Sequence, residues 1–412
     1  MLLKIAVQKI WALSIGLVFC STAFAVDTPT VLPEGIRSFM LKRASISGLN
    51  QYYSGSGELN YLSELNSIEL DVKNLVRIEP QVQEFVSILN NFGTFELGSQ
   101  LHLGQISVDA NPEVTYYAPM FLFGKTKKLT VGIAVPVIQY KNSINVTQRG
   151  SNLAELRNEF GGVSAELDAA FDELNRDMAT EFHTTVREQG YEPVENVNDE
   201  FIGDITLVAA YQFYKKEKWV NATQFYLGLP TGPKPNADSL TDLETFGKWS
   251  LQTQLISEYK IRSKVSLLGT ASYLVTLPGE IEKRVPLDAN DSLPAKNQKM
   301  NLASNTGDSL SAFFGASWQL TPNIMAASAY GIEQKFKDQY SGAPSGRNQF
   351  LENGTEREAR IGKLEVIYSS VQDYLKGQAL LPASIGYELS RIISGVNIEN
   401  QTKHEVTLSV YF

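Results

Sequence analysis

The stretch "HEVTLSVYF" (residues 404–412) closes the chain and alternates in character up to its last residue. His404, Val406, Leu408, Val410 and Phe412 share one face, and Glu405, Thr407, Ser409 and Tyr411 share the other. Period two is the signature of a half-buried strand. Chain ends usually fray into small polar residues, so a terminal strand ending on a bare phenylalanine needs a fixed partner. In a closed barrel the last strand pairs with the first and no edge is left. The pattern predicts an all-β fold, a transmembrane antiparallel up-and-down β-barrel of about twelve strands (12–14), with Phe412 at the periplasmic rim.

The same alternation recurs upstream. "DSLSAFFGASWQL" (308–320) sets Leu310, Phe314 and Trp318 against Ser309, Ser311 and Ser317, and "KWSLQTQLISEYKI" (248–261) sets Trp249, Leu251 and Leu255 against Gln252, Gln254 and Glu258. "GDITLVAAYQFY" (203–214) and "KLTVGIAVPVIQY" (128–140) read the same way. Twelve segments follow: 95–109, 113–123, 128–142, 201–215, 218–231, 247–260, 264–278, 308–320, 323–336, 356–372, 382–396 and 402–412. Most reach the roughly 9–11 residues that a tilted membrane strand needs. Counting back from a periplasmic Phe412, the turns at 124–127, 216–217, 261–263 and 321–322 are periplasmic and short, with a longer one at 373–381. The connections at 143–200, 232–246, 279–307 and 337–355 are extracellular and long, with short exceptions at 110–112 and 397–401. That sorting is the outer-membrane pattern. Phe123, Phe213, Trp219, Tyr259, Trp318 and Phe412 fall near periplasmic strand ends and Tyr140 and Trp249 near outer ends, as aromatic girdles would.

The other terminus, "MLLKIAVQKIWALSIGLVFCSTAFA" (1–25), carries Lys4 and Lys9, a short apolar run and Ala23-Phe24-Ala25. It predicts a secretory signal peptide cleaved between Ala25 and Val26, too short in its apolar part for a spanning helix. Cleavage removes Cys20, the one cysteine, and with it any disulfide or thiolate metal site in the mature chain. It also removes two lysines and no acid, leaving the mature chain more acidic than the −9 of the whole and disfavouring a nucleic-acid partner.

Two stretches do not alternate. In Val26–Gly93, "DVKNLVRIEPQVQEFVSILNNFG" (71–93) reads as helical with Val82, Phe85, Val86 and Leu89 on one side. That region is a plug or hatch, a periplasmic piece, or one more strand pair, with the barrel occupying 94–412. In the outer loop 143–200, Leu153, Leu156, Phe160, Val163, Leu167, Phe171, Leu174, Met178, Phe182 and Val186 recur at spacings of three or four. They form an amphipathic helix or helical hairpin with Gly161-Gly162 as a break. It packs over the barrel rim or forms an apolar funnel at the mouth.

Catalytic constellations are scarce, and the chain is not expected to be an enzyme. His102, His183 and His404 lie far apart, and "DANDSLPAKNQK" (288–299) fails as a calcium loop at Leu293 and Lys299. No cofactor or metal is expected. A pore offers its inner wall instead. By alternation Asp204, Gln212, Gln252, Gln254, Glu258, Ser311, Glu388 and Glu405 point into the lumen, mixed with apolar Val208, Leu268, Leu274 and Phe313. Such a mixed wall favours moderately hydrophobic cargo over a wide ion-conducting porin.

"FIGDITLVAAYQFYKKEKWVNATQFYLGLPTGPKPNADSL" (201–240) resembles the outer-membrane proteins associated with meta-pathway phenol degradation, grouped with the long-chain fatty acid transporters. The matching residues are Gly203, Asp204, Leu229, Pro230, Thr231 and Gly232. The resemblance implies passive uptake of hydrophobic or aromatic small molecules across a Gram-negative outer membrane, with an N-terminal hatch. The alternatives are a general porin and a structural or adhesive surface protein. Expected partners are outer-membrane lipid and lipopolysaccharide, a small hydrophobic solute, and the barrel assembly machinery, which would read Leu408, Val410 and Phe412. A monomer is expected.

Overall fold

The structure is a computed structural model and describes residues 28–65, 67–71, 86–87, 90, 101–175, 177–243, 247–288, 291 and 293–412. The leader with its Ala25–Val26 junction, and most of the helical reading over 71–93, lie outside these residues; Val86 and Ser87 are helical.

The chain opens with β1 (Arg37–Ser47), short β2 (Gln51–Tyr53) and β3 (Leu59–Tyr61), and β4 (Ser67–Asp71). β5 (His102–Thr126) follows, a single strand of 25 residues. β6 (Leu129–Ala134) and β7 (Val137–Arg149) are one wall strand interrupted at Val135-Pro136, and β8 (Val197–Ile202) and β9 (Thr206–Lys215) are another, interrupted at 203–205. Then come β10 (Trp219–Gly228), β11 (Ser250–Arg262), β12 (Val265–Thr276), β13 (Gly279–Arg284), β14 (Lys299–Asn305), β15 (Ser309–Gln319) and β16 (Ile324–Lys335). The chain ends with β17 (Gln339–Ser341), β18 (Arg357–Ser369), β19 (Ala383–Val396), β20 (Ile398–Glu399) and β21 (Thr402–Tyr411).

The wall runs β1, β5, β6/β7, β8/β9, β10, β11, β12, β15, β16, β18, β19, β21 and back to β1, every pair antiparallel, which makes a closed barrel of twelve strands. Short β13, β14 and β17 make a separate sheet in the long-loop region, and β2, β3 and β20 make another. Among the described residues no helix is long and apolar enough to cross a membrane; strands do the crossing. Outside β8, which pairs only with β7, and a local edge of β5, the wall strands are paired on both sides, which satisfies their ladder groups internally as a bilayer demands.

The alternation sorts as its chemistry requires. Phe39, Leu41, Phe121, Phe225, Leu255, Leu310, Phe314, Leu364 and Leu408 are exposed on the outer face, while Ser272, Ser311, Gln254, Glu388 and Glu405 are buried inside. On a soluble protein such an apolar exterior would be an aggregation surface; on an outer-membrane barrel it is the lipid contact. Trp219 and Tyr259 are cross-strand neighbours with ring centroids 4.8 Å apart at the short-turn end.

Three expectations are corrected. The barrel does not start at residue 94, because β1 lies within the segment 26–93 and seals the wall between β5 and β21. No turn exists at 110–112: the predicted strands 95–109 and 113–123 are parts of β5, with Pro112 inside it opposite Asn142. Two errors of opposite sign left the strand count unchanged. Tyr140 is not in the outer girdle; its ring is buried inside the wall and its hydroxyl accepts from Asn142 Nδ2 at 3.1 Å.

Candidate functional site

β5 carries an unusual inner face. Ile106, Val108, Ala110, Val114, Tyr116, Ala118, Met120 and Leu122 all point inward and are buried, forming an apolar rail over most of the strand. At its upper part Ile106, Val108 and Ala110 join one cluster with Leu70, Val86 and Leu240 and with helices Leu153–Phe160, Ala165–Leu174 and Met178–Glu188. Those helices contribute Leu153, Leu156, Leu167, Phe171, Leu174, Phe182 and Val186, the stripe that the spacing marks out. Gly161-Gly162 separates the first two helices, Gly162 at φ +79°. Ser164 caps the second by accepting from Leu167 N. Val163 falls in the linker and is exposed. Midway, Val114, Tyr116 and Ala118 pack with Ala44, Ile46, Ile138, Tyr140 and Leu243. At the lower end Met120 and Leu122 pack with Met40 and Ala134.

The strands beyond β1, on the other side from β5, carry an ionic inner face. Glu365, Glu388 and Glu405 stand directly opposite one another on β18, β19 and β21. Lys403 Nζ lies 3.0 Å from Glu388 Oε1 and 3.2 Å from Glu405 Oε2. Lys42 Nζ donates to Glu405 Oε1 at 3.0 Å, and the Tyr116 hydroxyl donates to Glu405 Oε2. Lys363 Nζ sits 4.2 Å from the centre of the Phe313 ring. Lys42 and Glu405 are 1 % and 2 % exposed, so this network is dry as well as charged. Buried charges persist only when paired and hydrogen-bonded.

From β10 round to β16 runs a polar belt that ends on a carboxylate. Gln224, Gln254, Ser272, Ser311 and Glu333 are successive cross-strand neighbours on β10, β11, β12, β15 and β16. The Ser272 and Ser311 hydroxyls are 2.7 Å apart. Thus Gln252, Gln254, Ser311, Glu388 and Glu405 all lie on the inner wall, and Glu258 accepts from Ser266 Oγ at 2.7 Å on the same face. Gln212 has a structural engagement: its Nε2 donates to Pro29 O at 2.8 Å, holding the N-terminal segment in the short-turn end of the barrel. Alternation puts Lys363 and Lys403 on the inner face with Glu365 and Glu405, whereas Lys42 escapes it because the sequence of β1 carries no clean alternation. Among the described residues no group of three or more His, Cys, Asp or Glu side chains is placed to hold a metal ion.

Asp204, expected to line the lumen, is engaged with the backbone of an outer loop. Its carboxylate accepts from the backbone N–H of Gly232 at 2.8 Å and of Gly247 at 3.0 Å. Thr231 Oγ1 accepts from Ile205 N at 2.9 Å and donates to Gly203 O at 3.0 Å. The residues that carry the family resemblance therefore converge on one staple, which fixes both ends of the loop 229–249 to the interruption between β8 and β9. Adjacent strands are irregular at the same height. Pro119 and Pro136 remove ladder donors there, and single bonds cross the zone: Val135 N to Pro119 O at 3.0 Å, Gly203 N to Pro136 O at 2.9 Å and Leu229 N to Ile205 O at 2.8 Å. Above it, β8 pairs only with β7.

A second staple closes the outer side. Arg284 donates to Asp238 Oδ1 from Nη2 at 2.6 Å and from Nε at 3.1 Å. It also donates to the carbonyls of Gln189 at 2.7 Å, Gly190 at 2.6 Å and Pro294 at 3.2 Å. Its guanidinium stacks 3.6 Å from the Tyr191 ring centre. Three outer loops thus meet at one side chain. Burial pushes the Tyr191 hydroxyl up to about 12, outweighing the nearby Arg284 charge, so it stays protonated and donates to Pro294 O at 3.0 Å. Partial burial pushes the Asp238 carboxyl up, but hydrogen bonds from Arg284 and Lys299 and their charges prevail and hold it below its usual value.

No family model matches this chain, and no curated protein does. Among solved structures, an outer membrane channel from Pseudomonas putida F1 superimposes with a TM-score of 0.51 at 11 % identity, over 94 % of this chain and 100 % of that one. The Ralstonia pickettii toluene transporter TbuX gives 0.34 at 9 % identity, over 92 % and 90 %. The Pseudomonas putida toluene transporter TodX gives 0.33 at 9 % identity, over 98 % and 96 %. The first of these shares the fold, that of an outer-membrane channel barrel.

Proposed function

We propose that this outer-membrane barrel is a channel for passive uptake of hydrophobic or aromatic small molecules. The observation that carries this reading is the apolar rail of β5. It begins beneath the helical cap and continues, through Val114 and Ala118, to Met120 and Leu122 near the periplasmic rim. An ion-conducting pore has no use for a continuous apolar stripe, whereas a solute that partitions out of water does. The ionic strands set Lys42 and Lys403 against Glu388 and Glu405 in largely buried pairs, so that cluster presents little net field to attract free ions. The weakened zone around Pro119, Pro136 and Gly203 supports a sideways release route toward the membrane.

The test is uptake of labelled toluene into liposomes bearing the protein. Placing a carboxylate on the rail, as in Ala118→Asp, is expected to cut the rate about tenfold or more, since a buried unpaired charge costs several kcal/mol. A gel-shift control shows that the variant still folds. Free admission of sugars and salts with ohmic conductance would instead establish a general porin.

A further inference from the structure

On the outer face of the wall β5 has a local edge. β1 leaves it at the pair Ile46–Val114, and β4 rejoins it at the pair Ser67–Ser107. Between them the connection through Asn50, Tyr61 and Ser63 arches away and leaves a hollow of about 570 Å³. That volume lies within the range of small-ligand sites, roughly 300–1,000 Å³. Asn50, Ser63, Asp109, Asn111, Ser143, Asn145 and Asn196 line it, with Tyr61 beside them. Asp109 opposes Asn145 and Asn111 opposes Ser143 across β5 and β7, so these four share one face. Asn196 is committed, accepting from Ile144 N at 2.8 Å. The side chains of Asn50, Ser63, Asp109, Asn111, Ser143 and Asn145 make no hydrogen bond or ion pair to any described residue.

The chemistry selects the ligand. A lone carboxylate is a poor cation site, and the absence of Lys or Arg among the described lining residues disfavours phosphate. Carboxamides, hydroxyls and one carboxylate match the paired donors and acceptors of vicinal hydroxyls, and a half-exposed tyrosine ring adds an apolar platform. Height selects the source. The apolar outer band on this side ends where Arg43 lies 5.7 Å over the Tyr117 ring, above exposed Leu41 and Phe121. Asp109 and Asn111 are six to eight residues further along β5. At about 3.3 Å per residue and a tilt near 40° they stand roughly 15–20 Å above that boundary, where the sugars of a surface glycolipid lie. We infer that this hollow binds the neutral, unphosphorylated outer-core sugars of a glycolipid of the outer leaflet.

The test titrates detergent-solubilised full-length protein with two probes, a purified lipooligosaccharide and its delipidated core oligosaccharide, read by native mass spectrometry. Both are expected to bind, and the double variant Asn111→Leu/Asn145→Leu is expected to weaken both about tenfold, as loss of two or more hydrogen bonds to ligand implies. Gel shift and toluene uptake, unchanged in that variant, separate this site from the channel. Equal affinity in variant and native protein overturns the inference. So does binding of the lipooligosaccharide without its free core, which would place the contact on acyl chains. Binding of the free core alone overturns the membrane source.

Discussion

Replacing Arg284 by alanine removes the one side chain common to three outer loops. Arg284 is 2 % exposed and Asp238 is 23 % exposed, so the pair is largely desolvated. After truncation Asp238 keeps Lys299 at 3.0 Å, Pro294 O keeps the Tyr191 hydroxyl at 3.0 Å, and Gln189 O keeps Lys296 N at 3.2 Å. Gly190 O loses its bond to the guanidinium, and Tyr191 loses the stacked cation. Breaking a buried pair on one side costs about 3–5 kcal/mol, but three of the four acceptors here retain a second donor. The lower half of that range is expected, about 3–4 kcal/mol, or roughly 150- to 700-fold in the opening equilibrium. Hydrogen exchange followed by mass spectrometry is the assay. Amides in 189–192, 236–243 and 294–299 should lose protection by that factor, while those of β18, β19 and β21 stay unchanged. Arg284→Lys keeps the charge but not the fork and should recover part of it. Acid adds a second arm. The folded carboxyl of Asp238 is held below its unfolded value, so its stabilising contribution is complete above the unfolded value and disappears as pH falls through the lowered one. The loops of the native protein should therefore stay protected through neutral and mildly acidic pH and loosen only below the usual carboxylate range. Unaltered exchange in all three loops of Arg284→Ala would refute the keystone role.

Asp204→Ala strips a charged acceptor from Gly232 N and Gly247 N, at about 1.5–3 kcal/mol per such bond before relaxation. Limited proteolysis should then cut within 232–247 faster than in the native protein, with the barrel intact by gel shift. Lys42→Met removes one cation from Glu405 but leaves Lys403 and the Tyr116 hydroxyl, so thermal unfolding in detergent should fall by several degrees without loss of the barrel. Deleting Phe412 removes an exposed ring and the two backbone bonds with Arg37, at 2.7 and 2.9 Å. The expected outcome is a sharp drop in folded protein recovered from outer membranes, measured by immunoblot of unboiled samples. Native unboiled protein should migrate differently from boiled protein, and identical migration would contradict the closed barrel.

The strands that were legible are those with clean chemistry on both faces. β15 shows Leu310, Phe314 and Trp318 to lipid and Ser311 and Ser317 to the lumen, and no reading but period two accommodates that. β1 was hidden because its inner face holds Ser38, Met40, Lys42, Ala44 and Ile46 while its outer face holds Arg43 beside Phe39 and Leu41. Adjacent Lys42 and Arg43 erase the alternation, although one is sealed within a charge network and the other lies over a tyrosine ring. Pro112 read as a turn because proline normally ends ladders, yet it falls in the stretch of β5 between β1 and β4, a local edge where sheets admit proline. Of the candidate site, the polar inner positions were legible from period alone. Pairings such as Lys42 with Glu405 were not, because they join residues 363 positions apart. The bonds of Asp204 to Gly232 and Gly247 were not legible, because alternation speaks only for a regular strand and the ladder is interrupted at 203–205.

The junction of β1 with β21 has a consequence for how the molecule is made. Ribosomal synthesis and export deliver β1 first, and β5 can zip onto one of its margins early. The other margin must wait for the final ten residues. Until then a long unsatisfied rim persists, the kind that recruits foreign chains. When β21 arrives, slippage by a single position would swing Lys42 or Glu405 out into hydrocarbon, a penalty of roughly 2–4 kcal/mol for a basic group near the midplane. Their mutual attraction therefore acts as a proofreading latch. It rewards only the alignment in which Arg37 meets Phe412, and a prematurely stopped polypeptide never engages it.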